Sequence, residues 1–287
     1  MDIQWSHFAT LLPVVAILNP RARTVVMVHD VLSQRFARDR KAARTTTARV
    51  RYFWAQWQAV AVERFAATHA DVVAVLSDKD RALIPGDRVR VLFPPLAADA
   101  PEAFRAPEMD CLLFVAAMYR DENREALRWF LREVWPAIRA QRPSVRLDVA
   151  GAGPGEELER LVDDTPAVRL LGFVENLDPL YERATSVVVP LRHGAGVKFK
   201  VVDALVRGVP VVTTTVGAEG IGESSWFAGV HDDAADFAGA VTRVLRHPDE
   251  FERHADVARD SARQVYGLPD FRAAVRRTYG FDPEESR

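Results

Sequence analysis

Most apolar positions in this chain fall in short, nearly unbroken runs. "RTVVMVHDV" (23–31), "DVVAVLS" (71–77), "VRVLFP" (89–94), "CLLFVAA" (111–117), "VRLDVAG" (145–151), "VRLLGFV" (168–174), "SVVVPL" (186–191) and "VPVVTTT" (209–215) are continuous rather than alternating. That is the pattern of strands buried on both faces, as in a parallel sheet covered by helices. Between them stand amphipathic stretches. In "ENREALRWFLREVWPAIRAQ" (122–141), Leu127, Phe130, Leu131, Val134 and Ile138 recur at spacings of three and four, which predicts one helix with a single apolar stripe. "GEELERLVDD" (155–164), "LDPLYERA" (177–184) and "KFKVVDALVRG" (198–208) predict shorter helices. Strand and helix in regular alternation imply right-handed βαβ units and a doubly wound α/β sheet.

The alternation breaks once. "AADAPEAFRAPEMD", within 97–110, is rich in Ala, Pro and acidic residues, carries no period and reads as a linker. It separates a partial βα region (1–96) from a complete one (111–248). Residues 249–287 are helical, with a break at Gly267–Pro269, and are expected to pack back across the domain junction.

Composition adds limits. The chain has 287 residues, is 48% hydrophobic and 27% charged, and carries a formal net charge of −2, values of a globular protein. A near-neutral balance argues against a dedicated nucleic-acid binder. Cys111 is the single cysteine; it can form no internal disulfide and reads as a buried strand residue. The N-terminus lacks the basic and apolar regions of a signal peptide. "FATLLPVVAIL" (8–18) is too short to span a bilayer and contains Pro13. The expectation is a cytoplasmic protein, with room for peripheral contact at the inner membrane face.

The densest stretch is "RHGAGVKFKVVDALVRGVPVVTTTVGAEG" (192–220). Two of the four lysines, Lys198 and Lys200, follow Gly194, Ala195, Gly196 and Val197 at a predicted helix start near Val197. Glycines after a strand let backbone approach a ligand, and a helix N-terminus favours an anion. Two mobile ammonium groups suit a diphosphate. Asp203, farther along, is placed to accept hydrogen bonds from ribose hydroxyls. By spacing alone, a set of solvated charges on an amphipathic helix fits equally well.

The stretch "VVVPLRHGAGVKFKVVDALVRGVPVVTTTVGAEGI" strongly resembles the donor-binding signature of retaining glycosyltransferases of the GT-B fold, in the large family 4 group. "LLFVAAMYRDENREALRWFLREVWPAI" is similar to the first strand and helix of that family's donor domain, with Asn123 matching the Asn of its "pN" turn. "VRLDVAGAGP" and "VRLLGFVENLDPLYERATSVVVPL" resemble the middle of the domain. The likeness runs from about 111 to 222.

The resemblance implies a GT-B-like fold: one complete Rossmann-like parallel-sheet domain and a partial second one on the acceptor side. It implies transfer of a sugar from a nucleoside-diphosphate donor to a carbohydrate or glycolipid acceptor with retention of configuration. No cofactor, metal or nucleic acid is implied, and no Asp-x-Asp stands in a loop suited to a metal. Gly194, Ala195, Gly196 and Val197 would face the diphosphate, with Lys198, Lys200 and Arg120 neutralising it. Asp203 would hold the ribose, and Phe173 and Val174 would flank the base. "RARTVVMVHDVLSQRFARDR" (21–40) resembles a late part of the acceptor domain, and His29 matches the histidine that faces the donor sugar. "ADVVAVLSDKDRAL" (70–83) resembles the segment near that domain's end.

The sequence departs from the family at four places. Ala195 and Asp203 stand where two glutamates are common, and Ala116-Ala117 replaces a Gly-Ser. By the family's layout, roughly ninety residues would precede Met1, or a partner chain would supply that half. Two further readings remain open at this point: a degenerate homologue that binds a nucleotide or a partner without turnover, and a GT-B-like sugar-nucleotide 2-epimerase.

Overall fold

The computed structural model describes residues 1–96 and 110–281; of the linker expected at 97–110, all but Asp110 lies outside the described residues. The chain divides into two compact units. The first comprises Met1–Pro94, Ala195–Val197 and Leu268–Arg287; the second comprises Pro95–Gly194 and Lys198–Gly267.

The first unit is built on a four-stranded parallel sheet in the order β1 (Asp2–Gln4), β2 (Val25–Val28), β3 (Val72–Val75), β4 (Val89–Val91). β2 and β3 are buried at every position, as their unbroken Val runs predict. Around the sheet run α1 (Leu12–Leu18), α2 (Leu32–Ala42), α3 (Thr46–His69) and α4 (Asp78–Leu83). The core beneath them includes Ile3, Leu12, Val26, Val28, Val73, Val75 and Ile84. Two side chains start helices here. The Thr45 hydroxyl accepts the Ala48 N–H at α3, and the Ser77 hydroxyl accepts the Asp80 N–H at α4. A buried carboxylate, Glu63, accepts the Ser33 N–H at the start of α2; burial raises its pKa, and the bonds to Ser33 and Leu32 oppose that.

The second unit carries six parallel strands. They are β5 (Cys111–Val115), β6 (Arg146–Ala150), β7 (Val168–Gly172), β8 (Ser186–Val189), β9 (Val211–Thr213) and β10 (Gly229–Val230). Their order in the sheet is β10-β9-β8-β5-β6-β7. From β5 the chain steps outward to β6 and β7, then returns to the other side of β5 to lay down β8, β9 and β10. The reversal opens a crevice between the loops that follow β5 and β8, which is where ligands bind in sheets of this type. The first unit's described strands run in simple succession and make no such reversal.

The helices of this unit are α5 (Asp121–Trp129), α6 (Trp135–Gln141), α7 (Glu156–Asp163), α8 (Asp178–Glu182), α9 (Phe199–Val206), α10 (Ala234–Arg246) and α11 (Pro248–Tyr266). The single helix expected over 122–141 is instead α5 and α6 joined by one π-helical turn, Phe130–Val134. Pro136 is the reason: it donates no N–H, and its ring collides with a carbonyl four residues back, so the ladder widens ahead of it. The apolar stripe survives, with Phe130, Trp135 and Phe237 of α10 packed ring to ring at 5.9–6.2 Å. Asp148, buried on β6, is held by Arg169 and Arg183, each at 2.8 Å. Cys111 is buried, and burial, with Asp148 nearby, pushes its thiol up to about 11. A last helix, α12 (Leu268–Tyr279), belongs to the first unit; its Tyr279 hydroxyl donates to the Asp2 carboxylate at 3.0 Å.

Candidate nucleotide-binding site

In the second unit the crevice beside β5 and β8 gathers positive charge. α9 begins at Phe199 with Lys198 as its cap residue, so 194–197 form a loop rather than the helix start expected near Val197. Gly194 (φ 129°) and Gly196 (φ 72°) adopt the left-handed region that side chains disfavour. A methyl group built on Gly194 would sit 3.6 Å from Lys198 Cε and 3.8 Å from its Nζ, so this ammonium folds back over the glycine. The foot of the loop is anchored on α5: the Arg192 guanidinium lies over the Trp129 ring at 5.3 Å, and His193 stands 3.4 Å from Glu125.

Lys200 points from the first turn of α9 toward the end of β5. Its ammonium donates to Asn123 Oδ1 at 2.7 Å and lies 5.8 Å from the Phe114 ring centroid. Burial pushes its pKa down to about 7, and the charges of Lys198 and Arg120 push the same way, against Glu122. Arg120, on the loop after β5, pairs with Glu122 at 2.5 Å. Asn123 donates its own N–H₂ to the Ala117 carbonyl at 2.8 Å, which fixes the oxygen that Lys200 uses. Three cations from two loops therefore bear on one small volume, a setting in which an anion relieves mutual repulsion.

β9 holds this loop from behind. It pairs with β8, and its Thr213 hydroxyl donates to the Val189 carbonyl at 2.9 Å. Thr214 donates to the Leu191 carbonyl and accepts the Gly217 N–H at 3.1 Å. A methyl on Gly217 would meet Thr213 Oγ1 at 2.0 Å, so that turn requires glycine.

Asp203, in the second turn of α9, is engaged by Arg207 Nε at 3.2 Å. Arg207 also pairs with Asp178 and lies over the Tyr181 ring at 4.8 Å. Burial holds the Tyr181 hydroxyl well above its ordinary pKa, with Asp203 adding to the effect. Phe173 and half-buried Val174 follow β7, the outermost strand, with β6 between them and β5. Phe173 is 78% exposed, open to a stacking partner. Ala195, Gly196 and Val197 group with the first unit.

His29 stands in the first unit, just after β2. Its Nε2 is 2.8 Å from Gln4 Oε1, and its ring lies 4.5 Å from that of Trp5. Gln4 Nε2 donates to the Asp2 carboxylate at 2.7 Å, so its oxygen faces the imidazole. Since an amide oxygen only accepts, His29 Nε2 is the donor in this contact. Trp5 adopts φ 74°, an uncommon conformation for a non-glycine residue that is seen often at functional sites. Gln4 and Trp5 were not foreseen as site residues. They are brought to His29 by the pairing of β1 with β2, which no local pattern announces. Asn123 was matched to a family turn but given no role.

Among the described residues no group of three or more His, Cys, Asp or Glu side chains is placed to hold a metal ion. Among them, too, no helix is long and apolar enough to cross a membrane.

Comparisons with known proteins follow the same lines. Residues 110–247 match the family described as Glycosyl transferases group 1. A 44.6 kDa uncharacterized protein in the cps region of Klebsiella pneumoniae is 33% identical over 118 residues, which is 39% of this chain and 30% of that protein. The match thus spans under a third of that relative's length. Among solved structures, HepE of Anabaena in complex with UDP superposes with a TM-score of 0.71 at 15% identity, over 98% of this chain and 79% of HepE. Sucrose-phosphate synthase of Thermosynechococcus elongatus gives 0.71 at 17% identity, over 98% of this chain and 72% of that one. TarM of S. aureus, in complex with UDP, gives 0.71 at 13% identity, over 94% of this chain and 54% of TarM. The fold is therefore the α/β, parallel-sheet fold of GT-B glycosyltransferases, and residues 110–247 form a domain similar to the Glycosyl transferases group 1 family.

Proposed function

We propose that this chain serves as a nucleoside-diphosphate-sugar-dependent glycosyltransferase of the family 4 group, acting with retention of configuration and without a metal. The observation that carries the reading is the convergence of Arg120, Lys198 and Lys200 at the β5/β8 crevice of the domain that matches the family. In the proposed reaction the bond between the sugar's anomeric carbon and the diphosphate oxygen breaks, a bond to the acceptor oxygen forms on the same face, and the acceptor's proton passes to the departing diphosphate. Negative charge grows on the departing diphosphate. Fixed cations aimed at that charge stabilise the transition state more than the ground state. Gly194 and Gly196 let the loop backbone approach the phosphates. Asp203 takes the ribose, Phe173 and Val174 take the base, and His29 presents Nδ1 to a sugar hydroxyl. The acceptor is a carbohydrate or a glycolipid, and the site of action is the cytoplasm.

The complexes of HepE with UDP and UDP-glucose and of TarM with UDP make uridine nucleotides the first ligands to try. Titration calorimetry with UDP, GDP, ADP and dTDP tests the reading. One nucleotide binds in the micromolar range, and Lys198→Ala with Lys200→Ala abolishes binding while the fold is kept. Unchanged binding in that double variant overturns the assignment.

One observation favours a second reading, a homologue that binds nucleotide without turnover. Asp203 is already engaged by Arg207, which weakens its hold on a ribose. Release of UDP from UDP-glucose in the presence of acceptor separates the two.

A further inference from the structure

In the first unit, α3 carries large apolar residues on its outer side. The residues it buries are Ala59, Glu63, Ala66 and Ala67, with Val62 and Phe65 partly buried against the core. A second apolar set faces the other way. Val50, Phe53, Trp54 and Trp57 recur at i, i+3, i+4 and i+7, one stripe along the helix. They are 52%, 46%, 57% and 62% exposed. An α-helix advances 100° per residue, which puts this stripe about 180° from Ala59. The neighbouring α2 packs on α3 through Phe36 and Tyr52, whose rings stack at 6.5 Å, and the stripe stays about half exposed among the described residues.

Charge borders the stripe. Residues 35–64 hold eight Lys and Arg against two acidic residues, in a chain whose formal net charge is −2. One of the two acids, Glu63, is buried. From Arg40 to Val62 there is no Asp or Glu, while Arg40, Lys41, Arg44, Arg49 and Arg51 all fall in that interval. Arg40 lies over the Phe53 ring at 5.8 Å and Arg51 over the Tyr52 ring at 5.0 Å, so cation and aromatic groups stand side by side on one surface.

We propose that the outward face of α2 and α3 is a docking surface for an anionic membrane, with Trp54, Trp57, Phe53 and Val50 inserted at headgroup depth and Arg40, Lys41 and Arg44 on lipid phosphates. A helix with Trp and Phe on an exposed face and cations at its margin lies in the plane of the bilayer interface rather than across it. The charge pattern selects this occupant. A second copy of the chain docking face to face would oppose cation to cation. A soluble polyanion would satisfy the cations but leave the four apolar side chains in water.

The test is co-sedimentation of the whole chain with phosphatidylcholine vesicles, with and without phosphatidylglycerol. The chain partitions onto the anionic vesicles and not the neutral ones, and high salt releases it. Trp54→Ser with Trp57→Ser, and separately Arg40→Gln with Lys41→Gln and Arg44→Gln, each lower partitioning about tenfold or more. Unchanged circular dichroism and melting show that both variants remain folded. Equal binding to both vesicle types, or tryptophan variants within about twofold of the parent chain, overturns the proposal. So does a lipid-free dimer in velocity sedimentation that the tryptophan variant dissolves, or heparin binding as tight as vesicle binding and insensitive to Trp54 and Trp57. Membrane binding here is independent of nucleotide binding, so either can fail without the other.

Discussion

Lys200 donates to Asn123 Oδ1 at 2.7 Å, and this one hydrogen bond holds a buried ammonium facing two other cations. Its pKa, pushed down to about 7 by burial and then by Lys198 and Arg120, makes the site sensitive to pH. An unfolded chain holds the Lys200 proton up to about its ordinary value of 10.5. Between about pH 7 and 10.5 the unfolded state therefore binds more protons, and this group makes stability rise with pH across that window. A bound diphosphate reverses the local balance: it favours the ammonium, so binding takes up a proton. Nucleotide affinity should fall above pH 7, by up to about tenfold per unit. Calorimetry in two buffers of different ionisation enthalpy measures the proton uptake, and Lys200→Met removes it.

Asn123 gives a paired test of the same contact. Asn123→Ala leaves Lys200 without that acceptor, costs roughly 1–3 kcal/mol of stability and weakens nucleotide binding. Asn123→Asp supplies a carboxylate to Lys200, raising its pKa and removing the mismatch that drives proton uptake, while it loses the N–H₂ bond to the Ala117 carbonyl. Yet it weakens anion binding, because the ammonium is already neutralised. Calorimetry in two buffers of different ionisation enthalpy should therefore show proton uptake on nucleotide binding lost in the aspartate variant.

The strands were legible because fully buried parallel strands need no partner to reveal them: Val25–Val28 and Val72–Val75 are apolar at each position. β1 and β10 were not foreseen. β1 has two polar residues out of three, Asp2 and Gln4, and β10 is only Gly229–Val230. Each is defined by the neighbour it pairs with. The helix α3 shows no single apolar stripe: its fully buried positions are three alanines and Glu63, while Val50, Phe53, Trp54 and Trp57 are exposed on the other side. Within the site, the glycine–lysine loop is local and readable. The contact from Lys200 to Asn123 joins residues 77 apart in sequence, and that from His29 to Gln4 joins residues 25 apart, so both depend on sheet order.

Arg207 carries the charge balance around Asp203. Its side chain is mostly buried, and it pairs with both Asp203 and Asp178. Arg207→Met leaves two carboxylates facing each other beside Tyr181. Breaking such a pair by removing one partner costs about 3–5 kcal/mol when it is buried. Partial exposure of Asp178 places the expected loss near the lower end, read as a fall in melting temperature. Asp203→Asn should weaken binding of a nucleoside diphosphate more than that of pyrophosphate, since only the former has a ribose. Equal losses for both ligands would remove Asp203 from the ribose role.

Gln4 sets which nitrogen of His29 carries the proton. Because Gln4 Nε2 donates to Asp2, its oxygen accepts from His29 Nε2. Tyr279 donates to the same Asp2 oxygen that Gln4 uses, and burial, with the bond to Asp2, pushes its hydroxyl up to about 12. Gln4→Ala removes the acceptor and lets the imidazole take either tautomer or rotate against Trp5. Nitrogen-15 spectra should show the Nε2–H form in the parent chain and a mixture in the variant. If His29 meets the donor sugar through Nδ1, turnover falls about tenfold or more while the KM for the nucleotide sugar stays within about twofold, because orientation rather than binding is lost. A tautomer unchanged in Gln4→Ala would show that the ring is held by Trp5 alone.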